Sequence, residues 1–134
     1  MVTDRVGDFI IRLQNAAAIG KANVAVPYSA HIASIAKKLK ELGFIKSVEV
    51  KAKGESEVKK DIVAMLSYDE RGVAKLRGVK RISKPGRRLY VSSGEAHTVK
   101  GGTGARILSS SAGIISDREA RKTNVGGENL FEIW

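Results

Sequence analysis

At Asp69-Glu70-Arg71-Gly72 the pattern of apolar residues along the chain changes, and that change limits what the chain can fold into. Before it, apolar residues recur at helical spacing in two segments, with short strand-like runs between and after them. Beyond it, the segments are short, extended and cut by glycine and proline. Asp-Glu-Arg-Gly is itself turn chemistry and marks a domain boundary. The expectation is an α+β protein. An N-terminal domain over residues 1–70 would hold two helices and three strands, and a mostly β C-terminal domain over 71–134 would hold one short helix. A length of 134 residues is compatible with two such small domains.

In the first half, Val6, Phe9, Ile10, Leu13 and Ala17 predict an amphipathic helix, with Thr3 or Asp4 as its cap and Gly20 at its end. Its polar face carries Arg5, Arg12 and Asn15. Val24 and Val26 alternate in a short strand ending at Pro27. Ser29 suits the start of a second helix, with Ile32, Ile35, Ala36, Leu39 and Leu42 as its stripe. Gly43-Phe44 resembles a left-handed helix cap with its apolar contact. Ile45, Val48 and Val50 mark a strand, Ile62 to Tyr68 another, and Lys51 to Lys60 the hairpin loop between them.

In the second half, Val73 to Ile82 reads as extended and basic. Ser83-Lys84-Pro85-Gly86 is a turn, because Pro presets φ and Gly tolerates positive φ. Leu89, Tyr90 and Val91 form a strand. Ser92 to Gly104 reads as a loop with at most one helical turn. A strand then runs into Ser109-Ser110-Ser111-Ala112-Gly113. Ser116 with Glu119 matches a capping box that opens a short helix through about Asn124. Gly126-Gly127 would end it, and Glu128 to Trp134 would be the last strand.

Charge narrows the function. The net charge is +10, and the segment from Arg71 to Lys100 carries nine basic residues against Glu95 alone. Such a field favours a polyanion, either nucleic acid or an anionic membrane surface, over a merely solvated face, which usually mixes both signs. No apolar run is long enough for a membrane span, and the N-terminus lacks the layout of a signal peptide, so a cytosolic location is expected.

Catalytic readings fail on their residues. A nucleophile elbow would need glycine at position 109, where serine stands. His31 lies in a helix and His97 in a loop, and neither is an evident base for the serines. Gly102-Thr103-Gly104 lacks the third glycine of a dinucleotide fingerprint and the Lys-Ser or Lys-Thr of a P-loop. With no cysteine and two dispersed histidines, no metal site or cofactor is expected. Nucleic-acid binding fits better. Lys84, Arg87 and Arg88 around a Pro-Gly turn can reach phosphates, and Tyr90 can either stack on a base or sugar or sit half-buried in its strand. The uncharged hydroxyls beside this field suit the wide minor groove and 2′-hydroxyls of folded RNA. Aromatic residues are only 5% of the chain, too few for a multi-base stacking platform. A DNA-binding or general RNA-chaperone module remains open as an alternative.

Several segments resemble small-subunit ribosomal protein S8 in its bacterial form. They are Asp8 to Ala16, with Arg12-Leu13-Gln14-Asn15-Ala16; Lys80 to Tyr90, with Ser83-Lys84-Pro85-Gly86; Ser109 to Gly113; Asp117 to Arg121; and Gly126-Gly127-Glu128 with Trp134. They run in collinear order along essentially the whole chain. There are departures. Asp4-Arg5 stands where the family usually has Asp-Pro. Pro27-Tyr28-Ser29-Ala30-His31 lacks lysines the family often carries, and Ser110 replaces a threonine.

The resemblance implies a structural constituent of the small ribosomal subunit, not an enzyme, that binds the central domain of 16S ribosomal RNA and stabilises its fold during assembly. It implies an RNA-binding C-terminal domain with Ser109, Ser110, Ser111, Gly113, Gly127 and Glu128 as contacts and Lys84, Arg87 and Tyr90 nearby. The N-terminal helix brings in Thr3, Arg12 and Asn15. Neighbouring small-subunit proteins are implied partners. Its own messenger RNA is left open as another, since some relatives repress its translation. Neither a membrane nor a small-molecule substrate is implied, and the location is the ribosome of the cytoplasm or of an organelle.

Overall fold

The computed structural model describes residues 4–52, 60–96, 99 and 104–134. Thr3, His97, Lys100, Gly101–Thr103 and most of the expected hairpin loop between Lys51 and Lys60 lie outside the described residues. The architecture is α+β, with three helices and two antiparallel sheets among those residues. Contacts divide the chain into two units. One is Phe9–Arg77, and the other joins the chain start through Asp8 to Gly78–Trp134. The change of pattern at residues 69–72 therefore falls a few residues before the switch in contacts.

Helix α1 spans Arg5–Ile19. Asp4 caps it, accepting the Gly7 N–H at 3.0 Å, and its carboxylate also pairs with Arg81. In the Phe9–Arg77 unit the buried stripe of α1 is Phe9, Ile10, Leu13 and Ala16. Ala17, one residue further round the helix, is only half-buried. Helix α2, Ala30–Glu41, buries Ile32, Ile35, Ala36 and Leu39. Leu42 is its C-cap residue and is exposed, because the stripe ends where the helix does. Ser29 holds the N-cap position but makes no side-chain capping bond. The left-handed cap is present: Gly43 has φ +88°, the Phe44 N–H bonds to the Leu39 carbonyl at 3.0 Å, and Phe44 is buried.

Strands β1 (Asn23–Pro27), β2 (Ile45–Ala52) and β3 (Lys60–Leu66) form an antiparallel sheet in the order β1-β3-β2. Val24, Val26, Ile62, Ala64 and Leu66 lie buried on one face, the period of two that a half-covered sheet requires. Each fully buried Leu, Ile or Phe contributes on the order of 1.5–3 kcal/mol.

The other unit is built on β8, Gly127–Ile133. β6 (Ala105–Ser110) pairs along one edge, with β7 (Gly113–Ser116) beyond it. Two short strands share the opposite edge. β4 (Val79–Arg81) lies opposite Phe131–Ile133, and β5 (Tyr90–Val91) opposite Gly127–Glu128. Of the extended run expected from Val73 to Ile82, only Val79–Arg81 is a strand on β8. Before it, the chain makes an isolated bridge from Ala74 to Tyr68.

Helix α3, Asp117–Thr123, has the expected capping box: Ser116 Oγ accepts the Glu119 N–H, and Glu119 accepts the Ser116 N–H. It ends at Asn124 in the left-handed region, before the glycines expected to end it. Ala96, Leu108, Ile115 and Ala120 form a small core under α3, flanked by Val91 and Val125.

Candidate nucleic-acid interface

The basic turn is a tight hairpin. Lys84 and Arg87 exchange two backbone hydrogen bonds of 2.9 Å, which leaves Pro85-Gly86 as its tip. Both cations are exposed. The base of the loop is held by a residue whose role the sequence did not reveal. Ser83 is 4% exposed, and its hydroxyl donates to the Leu89 carbonyl at 3.2 Å and accepts the Leu89 N–H at 3.0 Å. That hydroxyl ties the two ends of the loop together between β4 and β5. The only hint in the sequence was its place at the mouth of a turn.

The serine run is divided by its own backbone. Successive strand residues face opposite sides of a sheet, so Ser109 and Ser110 cannot form one row of hydroxyls. Ser110 pairs with Gly113 across a hairpin whose tip is Ser111-Ala112. Its hydroxyl donates to the Gly113 carbonyl at 2.9 Å and accepts the Ala112 N–H at 3.1 Å. The single hydroxyl proton is therefore used inside the turn, and what Ser110 can still offer a ligand is an acceptor. Ser111 is exposed at the tip. Gly113 has φ +105°, a conformation side chains rarely adopt.

The row that does form runs across strands. Ser109 lies opposite Glu128, and Glu128 opposite Tyr90, so one face carries Ser109, Glu128 and Tyr90 over β6, β8 and β5. Tyr90 is 70% exposed. The Glu128 side chain is 14% exposed, and Arg88 NH1 donates to its two oxygens at 3.1 and 3.4 Å. Gly127 lets the strands close here, because a β-carbon on it would collide with the Ser109 carbonyl. Burial lowers the pKa of the neighbouring Arg81 guanidinium; the Arg88 charge lowers it further and Glu128 opposes both. The acid thus lies within the field of two guanidiniums.

Lys84, Arg87, Tyr90, Ser109, Ser110, Ser111, Gly113, Gly127 and Glu128 all belong to this unit. Arg12 and Asn15 belong to Phe9–Arg77, where they line an open groove of about 390 Å³ with Ala16, Lys21, Asn23, Val24 and Ala25. Arg12 donates to the Ala25 carbonyl at 3.2 Å. Lys21 and Asn23 add a cation and an amide that periodicity alone did not single out. Among the described residues no three His, Cys, Asp or Glu side chains gather to hold a metal ion.

The family model described as Ribosomal protein S8 matches residues 4–134. The chain belongs to the ribosomal protein S8 family. It is 44% identical over 133 residues to small ribosomal subunit protein uS8 of Salinispora arenicola, covering 99% of this chain and 98% of that one. Proteins of the same name from Helicobacter acinonychis and Helicobacter pylori are 40% and 41% identical, with both chains covered completely.

Proposed function

We propose that the chain binds the central domain of 16S ribosomal RNA and holds its fold during assembly of the small subunit. Membership of the S8 family makes it a structural constituent of that subunit, located in the ribosome. Among the described residues no helix is long and apolar enough to cross a membrane.

The observation that carries the reading is the Ser109–Glu128–Tyr90 row between a cationic turn and a neutral one. Lys84 and Arg87 attract phosphates whatever the sequence, with an affinity that falls steeply as salt rises. The row supplies what charge does not: an exposed ring to stack, a hydroxyl, and a carboxylate that accepts only from donors such as a base amino group or ribose hydroxyl. Arg12 and Asn15 of the N-terminal groove supply a second, weaker contact. The chain catalyses nothing in this reading; it stabilises one RNA geometry. Other small-subunit proteins and its own messenger RNA are further partners on the same reading.

The test is binding to a central-domain ribosomal RNA fragment against a duplex of equal length, across a salt series. The fragment should be preferred at every salt, and the margin should persist as salt rises. Equal affinity throughout would sink the proposal.

A further inference from the structure

Arg88 joins the basic turn to the strand row. It lies two residues before Tyr90 and diagonal to Glu128, which faces Tyr90 directly. One guanidinium nitrogen reaches both carboxylate oxygens, at 3.1 and 3.4 Å. The Arg88 side chain is 56% exposed and that of Glu128 14%, so the acid is held low in the sheet and the cation covers it from solvent.

A bare carboxylate in a phosphate-binding surface repels every RNA that approaches. It becomes useful only when neutralised and when its remaining lone pairs are held in one direction. Arg88 does both. We infer that Arg88 is a specificity-determining positioning residue: it screens Glu128 from phosphates and holds the carboxylate for amino or hydroxyl donors of the RNA. The inference rests on the RNA-binding reading and deepens it. It sets Arg88 apart from Lys84 and Arg87, whose task is attraction.

The experiment measures affinity for the central-domain fragment and for the equal-length duplex, across salt. The proteins are the full chain, Arg88→Ala, Arg88→Lys, Glu128→Gln and the double variant Arg88→Ala/Glu128→Gln. Thermal melts confirm that each is folded. Arg88→Ala should weaken fragment binding about tenfold or more, the cost of one lost specific contact, and duplex binding only about two- to threefold. In the Glu128→Gln background, where no charge needs screening, the same change should cost both RNAs the same small factor. Arg88→Lys should recover part of the fragment preference, because an ammonium neutralises the acid with different geometry. Equal losses on both RNAs in both backgrounds would make Arg88 an ordinary phosphate contact and overturn the inference, as would an unchanged preference in Arg88→Ala. If the unmodified chain shows no preference, the proposed function fails and takes this inference with it. A preference with additive variants removes the inference alone.

Discussion

Two turns flank the Ser109–Glu128–Tyr90 row, and a serine hydroxyl fastens each, yet they are built in opposite ways. At Lys84-Pro85-Gly86-Arg87 the fastening serine, Ser83, is buried at the base, and only long cationic side chains stand outside. At Ser110–Gly113 the fastening serine is part of the presented surface. In the basic turn, then, the group that holds the shape and the groups proposed to meet RNA are different residues. In the neutral turn they coincide. Removing a serine should therefore act on the first turn through shape alone and on the second through shape and contact together.

The comparison can be broken in order of expected effect. The largest concerns the strand both turns depend on. Gly127→Ala forces a β-carbon against the Ser109 carbonyl, so β6 and β8 must part. It should destabilise by about 3 kcal/mol, the upper end for overpacking, read as a lower denaturant midpoint. Wild-type stability in this variant would mean that the close approach is not needed.

Next is Ser83→Ala, which takes the hydroxyl acceptor from the Leu89 N–H, while the Leu89 carbonyl keeps the Asn129 N–H at 2.8 Å. A loss of about 2 kcal/mol follows. Affinity should fall for all RNAs alike, since only the mount of Lys84 and Arg87 is loosened. A selective loss on the cognate fragment would contradict the separation of roles.

Ser110→Ala should cost on the order of 1 kcal/mol. On the proposed RNA reading the cognate fragment should suffer more than a duplex, because the oxygen that fixes the turn is also the acceptor Ser110 would offer the RNA. If Ser83→Ala and Ser110→Ala gave the same pattern across both RNAs, the contrast between the turns would be empty.

The smallest stability effect belongs to Lys84→Ala and Arg87→Ala, within about 0.5 kcal/mol of wild type. Each should reduce the salt slope of binding by about 0.7–0.9, one phosphate contact. A salt slope unchanged in either variant removes that residue from the contact set.

Much of the fold was legible because its signals were local. The stripe of α2, the Gly43-Phe44 cap and the Ser116–Glu119 capping box each lie within one or two turns of chain, where spacing alone decides the geometry. The errors fall where a strand's pairing partner decides. β7 was missed because four residues, Gly113–Ser116, are a strand only beside β6. The serines, read together as uncharged hydroxyls beside the basic field, are split because successive residues of β6 face opposite sides of the sheet. Gly126-Gly127 looked like a helix stop, yet α3 ends at Asn124, and Gly127 is small for the sake of the approach to Ser109. Arg88 was one more charge in a basic run until β5 and β8 set it over Glu128.

Sequence by itself determined the helices, the Gly43-Phe44 cap and the Ser116–Glu119 capping box, the α+β order, the family, and a net charge of +10 concentrated between Arg71 and Lys100. Those follow from composition and from interactions a few residues apart. Only the tertiary structure decided that β4 and β5 share one edge of β8 and that Ser83 fastens the basic turn. It also decided that Ser109, Glu128 and Tyr90 form the row. A side chain's face depends on which strand lies beside it and in what register, and residues far apart in the chain set that register.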